Sequence, residues 1–139
     1  MTTPALASRP PFRRPVLLVA LAALGLCAVP SFAQDANPEA AKQQFLTSCG
    51  VCHAAEPGAP PRQGPNLHGV FGRKSASLPG FAYSDALKTA EITWDEATLD
   101  PWIANAQAVR PGTIMNYRQA DPAKRKLIIA YLKSLSAKP

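Results

Sequence analysis

The residues "SCGVCHAA", Ser48 to Ala55, place two cysteines three positions apart with a histidine directly behind them. The chain has only three cysteines and two histidines in 139 residues, so this stretch holds most of its thiol and imidazole chemistry. A Cys-x-x-Cys pair has three common uses, namely a redox dithiol, half of a zinc site or, when His follows, a haem attachment site. The rest of the sequence decides among them.

The alternatives to haem find little support elsewhere in the chain. A thioredoxin-like dithiol would need alternating strands and helices around Cys49 and Cys52, and that pattern is missing. A zinc site needs two further ligands, and only His68 remains. A disulfide would close too small a loop to stabilise much. Haem uses all three side chains, because both thiols add to porphyrin vinyl groups and His53 takes the fifth position on iron. The motif predicts covalent haem c.

The first 33 residues have the pattern of a secretory signal peptide. A positively charged start precedes an apolar run of about 14 residues, Val16 to Val29, and the small residues Ser31 and Ala33 follow. A membrane anchor would need about 20 apolar residues. We therefore expect cleavage after Ala33 and a mature haem domain at 34–139 in the periplasm, without stable membrane insertion.

Cleavage changes the charge of the protein. The whole chain has a formal net charge of +6, whereas residues 34–139 keep 12 basic and 9 acidic side chains, a net charge of +3. An exported, modestly basic protein without interleaved aromatic and basic residues is a poor candidate for nucleic-acid binding. The 106 remaining residues suffice for one domain with a small apolar core.

Helical signals lie at both ends of the mature chain. Asn37 can cap a helix that begins at Pro38, and Asp121 with Pro122 begins the clearest helix of the sequence. The apolar stripe of that last helix has helical spacing and consists of Leu127, Ile128, Tyr131, Leu132 and Leu135. No stretch alternates with period two for long, so the sequence predicts an all-α fold.

The middle of the chain, from Ala54 to Gly80, is rich in proline and glycine and keeps no helical or strand period. A structureless loop of this length is uncommon in a compact domain unless it encloses something. Haem would be the enclosed group, and it would enlarge the apolar core of a short chain.

Beyond this loop the pattern becomes helical again. A short helix is predicted within residues 84–90, and Thr93 and Glu96 have the spacing of a capping box. Pro101 lies too deep for the second helix to run straight. Either that helix kinks at Pro101, or another helix begins there with Asp100 as its cap.

Two residues could supply a second axial ligand to the iron. Met115 is the only methionine of the mature chain, and it follows Pro111 and Gly112, which stiffen a turn. It lies 62 residues beyond His53, enough chain to reach the opposite face of a haem. His68 lies only 15 residues beyond His53, within the loop that leaves the same side. We expect Met115 to be the ligand and His68 to be a hydrogen-bonding loop residue.

Six ordered stretches carry a family resemblance, and they are "CGVCH", "GPNLHGVFGRK", "PGFAYSDA", "ITW", "PGTIM" and "LIIAYLK". Together the chain resembles the class I cytochromes c, most closely the mitochondrial-type branch and its bacterial periplasmic relatives. The resemblance covers nearly the whole mature chain. It implies crossed N- and C-terminal helices, with Phe45 and Tyr131 at the crossing, and loops that wrap a covalent haem with one edge exposed.

The resemblance also implies roles for residues around the haem. It makes the Pro65 carbonyl the hydrogen-bond partner of the His53 imidazole. At the exposed edge it puts Tyr117 beside Met115. Around a haem propionate, whose buried charge needs donors, it puts Arg73, Tyr83 and Trp94.

The sequence departs from the family pattern at four positions. Ala41 replaces a glycine at the helix crossing, Leu87 replaces an asparagine near the propionates, and Pro61 replaces a histidine that pins the long loop. Trp102 replaces a tyrosine beside the methionine sulfur. An indole can donate a hydrogen bond but cannot accept one, so the resemblance leaves open whether the family's hydrogen bond is kept at Trp102.

The family's ring of lysines around the haem edge is mostly absent. By alignment the matching positions include Gln43, Ser48, Gln107, Ala108 and Ile114. Only Arg62, Arg118 and the cluster Lys124–Lys126 could supply positive charge to the rim. We therefore expect weak electrostatic steering and docking on the apolar rim near Ile114 and Tyr117.

The expected function is electron transfer, because an iron bound by both His53 and Met115 has no open position for a substrate. The sequence predicts a soluble, monomeric, high-potential carrier and not an enzyme. Its partners would be membrane or periplasmic redox complexes, such as cytochrome oxidase, a reductase or a dehydrogenase. Two alternatives are a haem peroxidase or gas-binding protein with an open iron face, and a haem-free module that uses the cysteines as a disulfide or metal clip.

Overall fold

The computed structural model of the protein describes residues 37–136, so the predicted signal peptide at 1–33 lies outside the described residues. The described part contains five helices, which are α1 (Pro38–Ser48), α2 (Asp85–Lys88), α3 (Glu96–Ala104), α4 (Ala106–Val109) and α5 (Pro122–Ser134). It has no strand, and one isolated antiparallel bridge joins Lys74 to Thr93. The predicted all-α class is therefore confirmed. None of these helices is long and apolar enough to cross a membrane.

Both terminal helices begin at the predicted caps. The Asn37 side chain accepts a hydrogen bond from the Glu39 N–H at 3.1 Å, and Pro38 opens α1. The Asp121 carboxylate accepts from the Ala123 N–H at 2.8 Å, and Pro122 opens α5. Each cap satisfies a backbone donor that the first helical turn leaves unpaired.

Helices α1 and α5 pack against each other through aromatic and branched side chains. The ring centroids of Phe45 and Tyr131 are 4.8 Å apart at an interplanar angle of 41°, so the expected crossing pair is confirmed. Phe45 and Ile128 are the largest side chains that are fully buried. Ala41 is also buried at this contact, and a small groove of about 110 Å³ lies beside it.

Helix α3 begins two residues later than the predicted capping box would require. The actual box pairs Asp95 with Thr98, because the Asp95 carboxylate accepts the Thr98 N–H at 2.8 Å and the Thr98 hydroxyl accepts the Asp95 N–H at 2.9 Å. The predicted capping box of Thr93 and Glu96 is wrong because of a contact with a distant part of the chain. Thr93 bridges to Lys74 in extended conformation, so the helix cannot begin before that pairing ends.

Pro101 lies inside α3, and the helix continues through it to Ala104. Its missing N–H would have bonded the carbonyl of Ala97, which is exposed, so water can replace that donor. Asp100 is therefore not the cap of a second helix. Its carboxylate instead accepts two hydrogen bonds from the Arg125 guanidinium of α5, at 2.8 and 3.3 Å.

The long loop from Ala54 to Gly80 contains no helix, as predicted. A buried amide holds it in place. The Asn66 side chain donates to the carbonyls of Glu56 and Ala59, at 2.9 and 2.8 Å, and accepts from the His68 N–H at 2.8 Å. The loop is thus pinned from within, although an exposed proline, Pro61, replaces the histidine of the family pattern.

Candidate functional site

The helices and the long loop enclose an apolar cavity of about 470 Å³. Helices α3 and α5 contribute buried side chains to its wall, and the long loop contributes others. The apolar lining residues include Leu67, Val70, Phe81, Leu87, Leu99, Ile103, Ile128 and Leu132. A cavity of this size and character can take an organic cofactor.

The Cys-x-x-Cys-His motif forms a tight turn at the end of α1. The Cys52 and His53 N–H groups both donate to the Cys49 carbonyl, at 3.0 and 2.9 Å. A Cβ on Gly50 would lie 2.7 Å from the Leu46 carbonyl oxygen, so the turn requires glycine there. As a result both thiols and the imidazole line the same cavity.

The surroundings of the two thiols disfavour three alternative uses of the motif, namely a redox dithiol, a disulfide and a metal site. Burial, with a smaller effect of neighbouring Cys52, raises the pKa of Cys49 to about 12, whereas a redox dithiol needs a lowered pKa. Both cysteines are free thiols and form no disulfide. Within residues 37–136, no three His, Cys, Asp or Glu side chains group in a way that could hold a metal ion.

The His53 ring is oriented by backbone groups. Its Nδ1 lies 2.8 Å from the Pro65 carbonyl, which can only accept, so Nδ1 carries the proton and Nε2 keeps a free lone pair. Burial lowers the pKa of His53, while the Pro65 contact opposes that change. A Cβ on Gly64 would lie 2.2 Å from the ring carbon Cε1. The imidazole is thus held neutral and tightly packed.

The Met115 thioether lines the same cavity. The buried Trp102 indole donates its Nε1–H to the Met115 sulfur at a distance of 3.2 Å. The family's tyrosine is therefore replaced by a residue that keeps the donor role toward sulfur. Trp102 is itself held against Trp94, with ring centroids 5.1 Å apart.

All four residues that the resemblance places around the cofactor line this cavity, and they are Arg73, Tyr83, Trp94 and Tyr117. The Arg73 guanidinium donates to the carbonyls of Asn66 and His68, at 3.0 and 3.1 Å. Burial lowers the pKa of Arg73, and Tyr83 nearby opposes that shift. An arginine stays charged in a protein, so one wall of the apolar cavity carries a positive group.

His68 does not line the cavity. Its N–H and carbonyl hydrogen-bond to the side chains of Asn66 and Arg73. Its ring Nδ1 is buried and has no hydrogen-bond partner among the described residues. The loop position is as expected, but the hydrogen bonds come from its backbone and not from its imidazole.

Sequence reasoning missed several polar contacts in and near the cavity, although it had considered Arg62 and Gln107 as surface positions. Gln63 accepts a weak hydrogen bond from the Cys52 thiol at 3.4 Å, and Arg62 donates to the Gly50 carbonyl. Gln107 donates to the carbonyls of Thr113 and Met115. No local pattern marks these contacts, because each joins a side chain to a backbone carbonyl or side chain several residues away.

The donors that line the cavity fit a covalently attached haem. Two thiols, a neutral imidazole with a free nitrogen, a thioether and a guanidinium surround an otherwise apolar space, which is the donor set of a c-type haem site. The fold and this site together define a small all-α haem protein whose porphyrin is bound through cysteines.

Comparison with known proteins gives the family. The family model described as "Cytochrome c" matches residues 38–136. Cytochrome c of Chlamydomonas reinhardtii is 46% identical over 94 residues, which are 67% of this chain and 84% of that protein. Cytochrome c2 of Blastochloris viridis is 41% identical over 122 residues, 87% and 94%. Cytochrome c2 of Rhodomicrobium vannielii is 45% identical over 91 residues, 65% and 73%.

The chain belongs to the cytochrome c family. It is accordingly a haem-containing electron carrier and not an enzyme, its cofactor is covalent haem c with iron, and it exchanges electrons with redox partners. This excludes the peroxidase and the haem-free module that the sequence had left as alternatives.

Proposed function

We propose that this chain is exported, cleaved after Ala33, and works in the periplasm as a monomeric carrier that moves single electrons between redox complexes. In this proposal Cys49 and Cys52 attach the haem, and His53 and Met115 ligate its iron. Bound haem supplies an iron that alternates between the ferrous and ferric states. The observation that carries the proposal is that all four side chains line one apolar cavity.

Each of the two proposed iron ligands is oriented by a hydrogen bond within the protein. The Pro65 carbonyl fixes the His53 tautomer that leaves Nε2 free, and the Trp102 indole fixes the direction of the Met115 sulfur. Such outer contacts set ligand orientation and ligand basicity in metal sites. With both ligands in place the iron has no position for substrate, which suits an electron carrier.

The proposed roles of the remaining cavity residues follow from charge and exposure. Arg73, Tyr83 and Trp94 offer a charged group and two donors to a propionate, which would otherwise be an unpaired buried charge. Tyr117 lies two residues beyond Met115 and is half-buried. Ile114 lines the cavity and is 69% exposed, so it lies at the cavity mouth.

The proposed partners are redox complexes such as an oxidase, a reductase or a dehydrogenase, and the surface supports mainly apolar docking on Ile114. Two of the basic side chains counted for the rim are engaged within the fold, one of them in an ion pair, while Lys74 lines the cavity. Arg125 has a side chain only 14% exposed and is bonded to Asp100, and Arg62 is bonded to Gly50. Weak steering leaves the association rate less sensitive to salt than a strong patch would.

The decisive test of the ligation is Met115→Ala. We expect the variant to bind cyanide or carbon monoxide at an opened iron position and to have a lower reduction potential, because a thioether ligand raises the potential. Optical spectra with and without added ligand show the opened position, and a redox titration measures the change in potential. The matched control is His68→Ala, which should keep the wild-type spectrum. An unchanged ligand-field spectrum in Met115→Ala would reject Met115 as a ligand.

Trp102→Phe tests the hydrogen bond to the sulfur. The indole N–H withdraws electron density that the sulfur would otherwise donate to ferric iron, so its removal should lower the reduction potential. A neutral hydrogen bond is worth about 0.5–1.5 kcal/mol, and about 59 mV corresponds to a tenfold change for one electron. We expect a decrease of about 20–60 mV by redox titration. Trp102→Tyr should recover part of it, and an increase would contradict the assignment.

A further inference from the structure

Gln107 lies in α4, and its side chain reaches the loop that carries Met115. The amide nitrogen donates to the Thr113 carbonyl and, at 3.3 Å, to the Met115 carbonyl. A side-chain amide nitrogen carries two hydrogens, so both carbonyls can be satisfied by Gln107 at the same time. The contact therefore fixes two points of the loop, one of them the backbone of Met115 itself.

The loop has few other ties at this point. Among the described residues, no backbone–backbone hydrogen bond involves residues 114–118. The Met115 N–H has only a long contact, 3.5 Å, to the Thr113 hydroxyl. The neighbouring backbone bonds are from Thr113 to Arg110 and from Gln119 to Ile103. Gln107 thus supplies the hydrogen bond that holds the centre of this segment.

A methionine needs such support more than most ligands would. Its side chain has three rotatable bonds and adapts readily to its surroundings, so the sulfur is positioned only if both the backbone and the tip are held. Trp102 holds the tip at 3.2 Å from the sulfur. Gln107, which is half-buried, holds the backbone from the opposite end of the side chain.

We propose that Gln107 is a positioning residue for Met115, acting through the carbonyls of Thr113 and Met115. This inference rests on the proposed ligation of iron by Met115. It also changes the interpretation of position 107. The family resemblance marks it as a missing surface lysine, whereas the structure gives its side chain an internal function in the ligand loop.

The test compares Gln107→Met, which keeps the length and neutrality of the side chain but has no donor, with Gln107→Lys, which keeps donors. In the oxidised holoprotein we expect imidazole to displace Met115 about fivefold faster in Gln107→Met, the effect of losing about one net hydrogen bond. Hydrogen exchange at the Thr113 amide, which donates to the Arg110 carbonyl in the loop that Gln107 holds, should accelerate by a similar factor. Gln107→Lys should restore both values to near wild type.

The controls separate positioning from general destabilisation. Exchange at the Ile128 amide in α5 should stay within about twofold of wild type in Gln107→Met. Gln43→Met, a matching change at an exposed position of α1, should alter neither readout. Unchanged exchange at Thr113, equal acceleration at Ile128, or a Gln107→Lys variant that behaves like Gln107→Met would each overturn the proposal.

The exchange readout also distinguishes this proposal from the proposed ligation. If Met115→Ala keeps its ligand-field spectrum, the ligation is wrong, yet exchange at the Thr113 amide still reports whether Gln107 holds the loop. If Met115→Ala opens the iron but Gln107→Met leaves both rates unchanged, the ligation stands and the role of Gln107 is rejected.

Discussion

In Cys52→Ser we expect at most one thioether to the haem and a yield of haem-containing protein that is a small fraction of wild type. Covalent attachment needs a thiol at each vinyl group, and serine offers none at position 52. The turn itself should survive, because the Cys52 N–H and not its side chain makes the hydrogen bond to Cys49. The variant should therefore lose a reactive thiol and keep the conformation of the turn.

Extraction into acidic organic solvent measures this result, since haem that is bound through two thioethers stays with the protein. Intact mass of the purified holoprotein gives the number of bonds. The matched control is Cys27→Ser, which changes the third cysteine of the chain inside the predicted signal peptide and should leave the mature protein unaltered. Haem that extracts freely from the wild type would refute attachment at Cys49 and Cys52.

The Phe45→Ala variant should lose about 3–5 kcal/mol of unfolding free energy, the usual cost of truncating a buried aromatic side chain. Phe45 is 1% exposed and packs on Tyr131 at the crossing of α1 and α5. Domains of this size have a total stability of about 5–15 kcal/mol, so the loss is a large share. Denaturant unfolding of the holoprotein gives the value directly.

Leu46 provides the matched control for this experiment, because it is the next residue of α1 and is 42% exposed. We expect Leu46→Ala to change the unfolding free energy by less than about 1 kcal/mol, as is usual for surface positions. Equal effects of the two substitutions would mean that the helix crossing does not depend on Phe45.

Features with local causes could be predicted from the sequence. The caps at Asn37 and Asp121 and the prolines behind them act within one turn of helix, and both helices begin where predicted. The Cys-x-x-Cys-His motif is likewise local, because the spacing alone brings the thiols and the imidazole to one side of a turn. These local features were sufficient to predict the fold class and the cofactor correctly.

Features with distant causes could not be predicted in the same way. The beginning of α3 depends on the bridge between Thr93 and Lys74, which lie 19 residues apart. The Asn66 and Gln107 contacts join side chains to backbone carbonyls, and such pairings have no periodicity that a sequence pattern could reveal. The resemblance supplied the cavity residues that local reasoning lacked, such as Arg73 and Tyr83, and all of them line the cavity.

The run Lys124–Lys126 is three successive basic residues, which by itself indicates a solvated surface. The fold separates them, because Arg125 also donates to the carbonyls of Gln119 and Ala120, at 3.1 and 2.9 Å, besides pairing with Asp100. Its guanidinium thus joins α3, α5 and the end of the Met115 loop. Lys124 and Lys126 are exposed.

A substitution would therefore affect the fold very differently at these neighbouring positions. Charge reversal at Lys124 or Lys126 should leave the fold intact, whereas a substitution of Arg125 removes hydrogen bonds that join three segments. Lys124 and Lys126 are thus two positions at which the surface charge of the carrier can be adjusted without changing a contact of the fold. The middle position of the run, Arg125, carries the same charge but serves to hold the fold together.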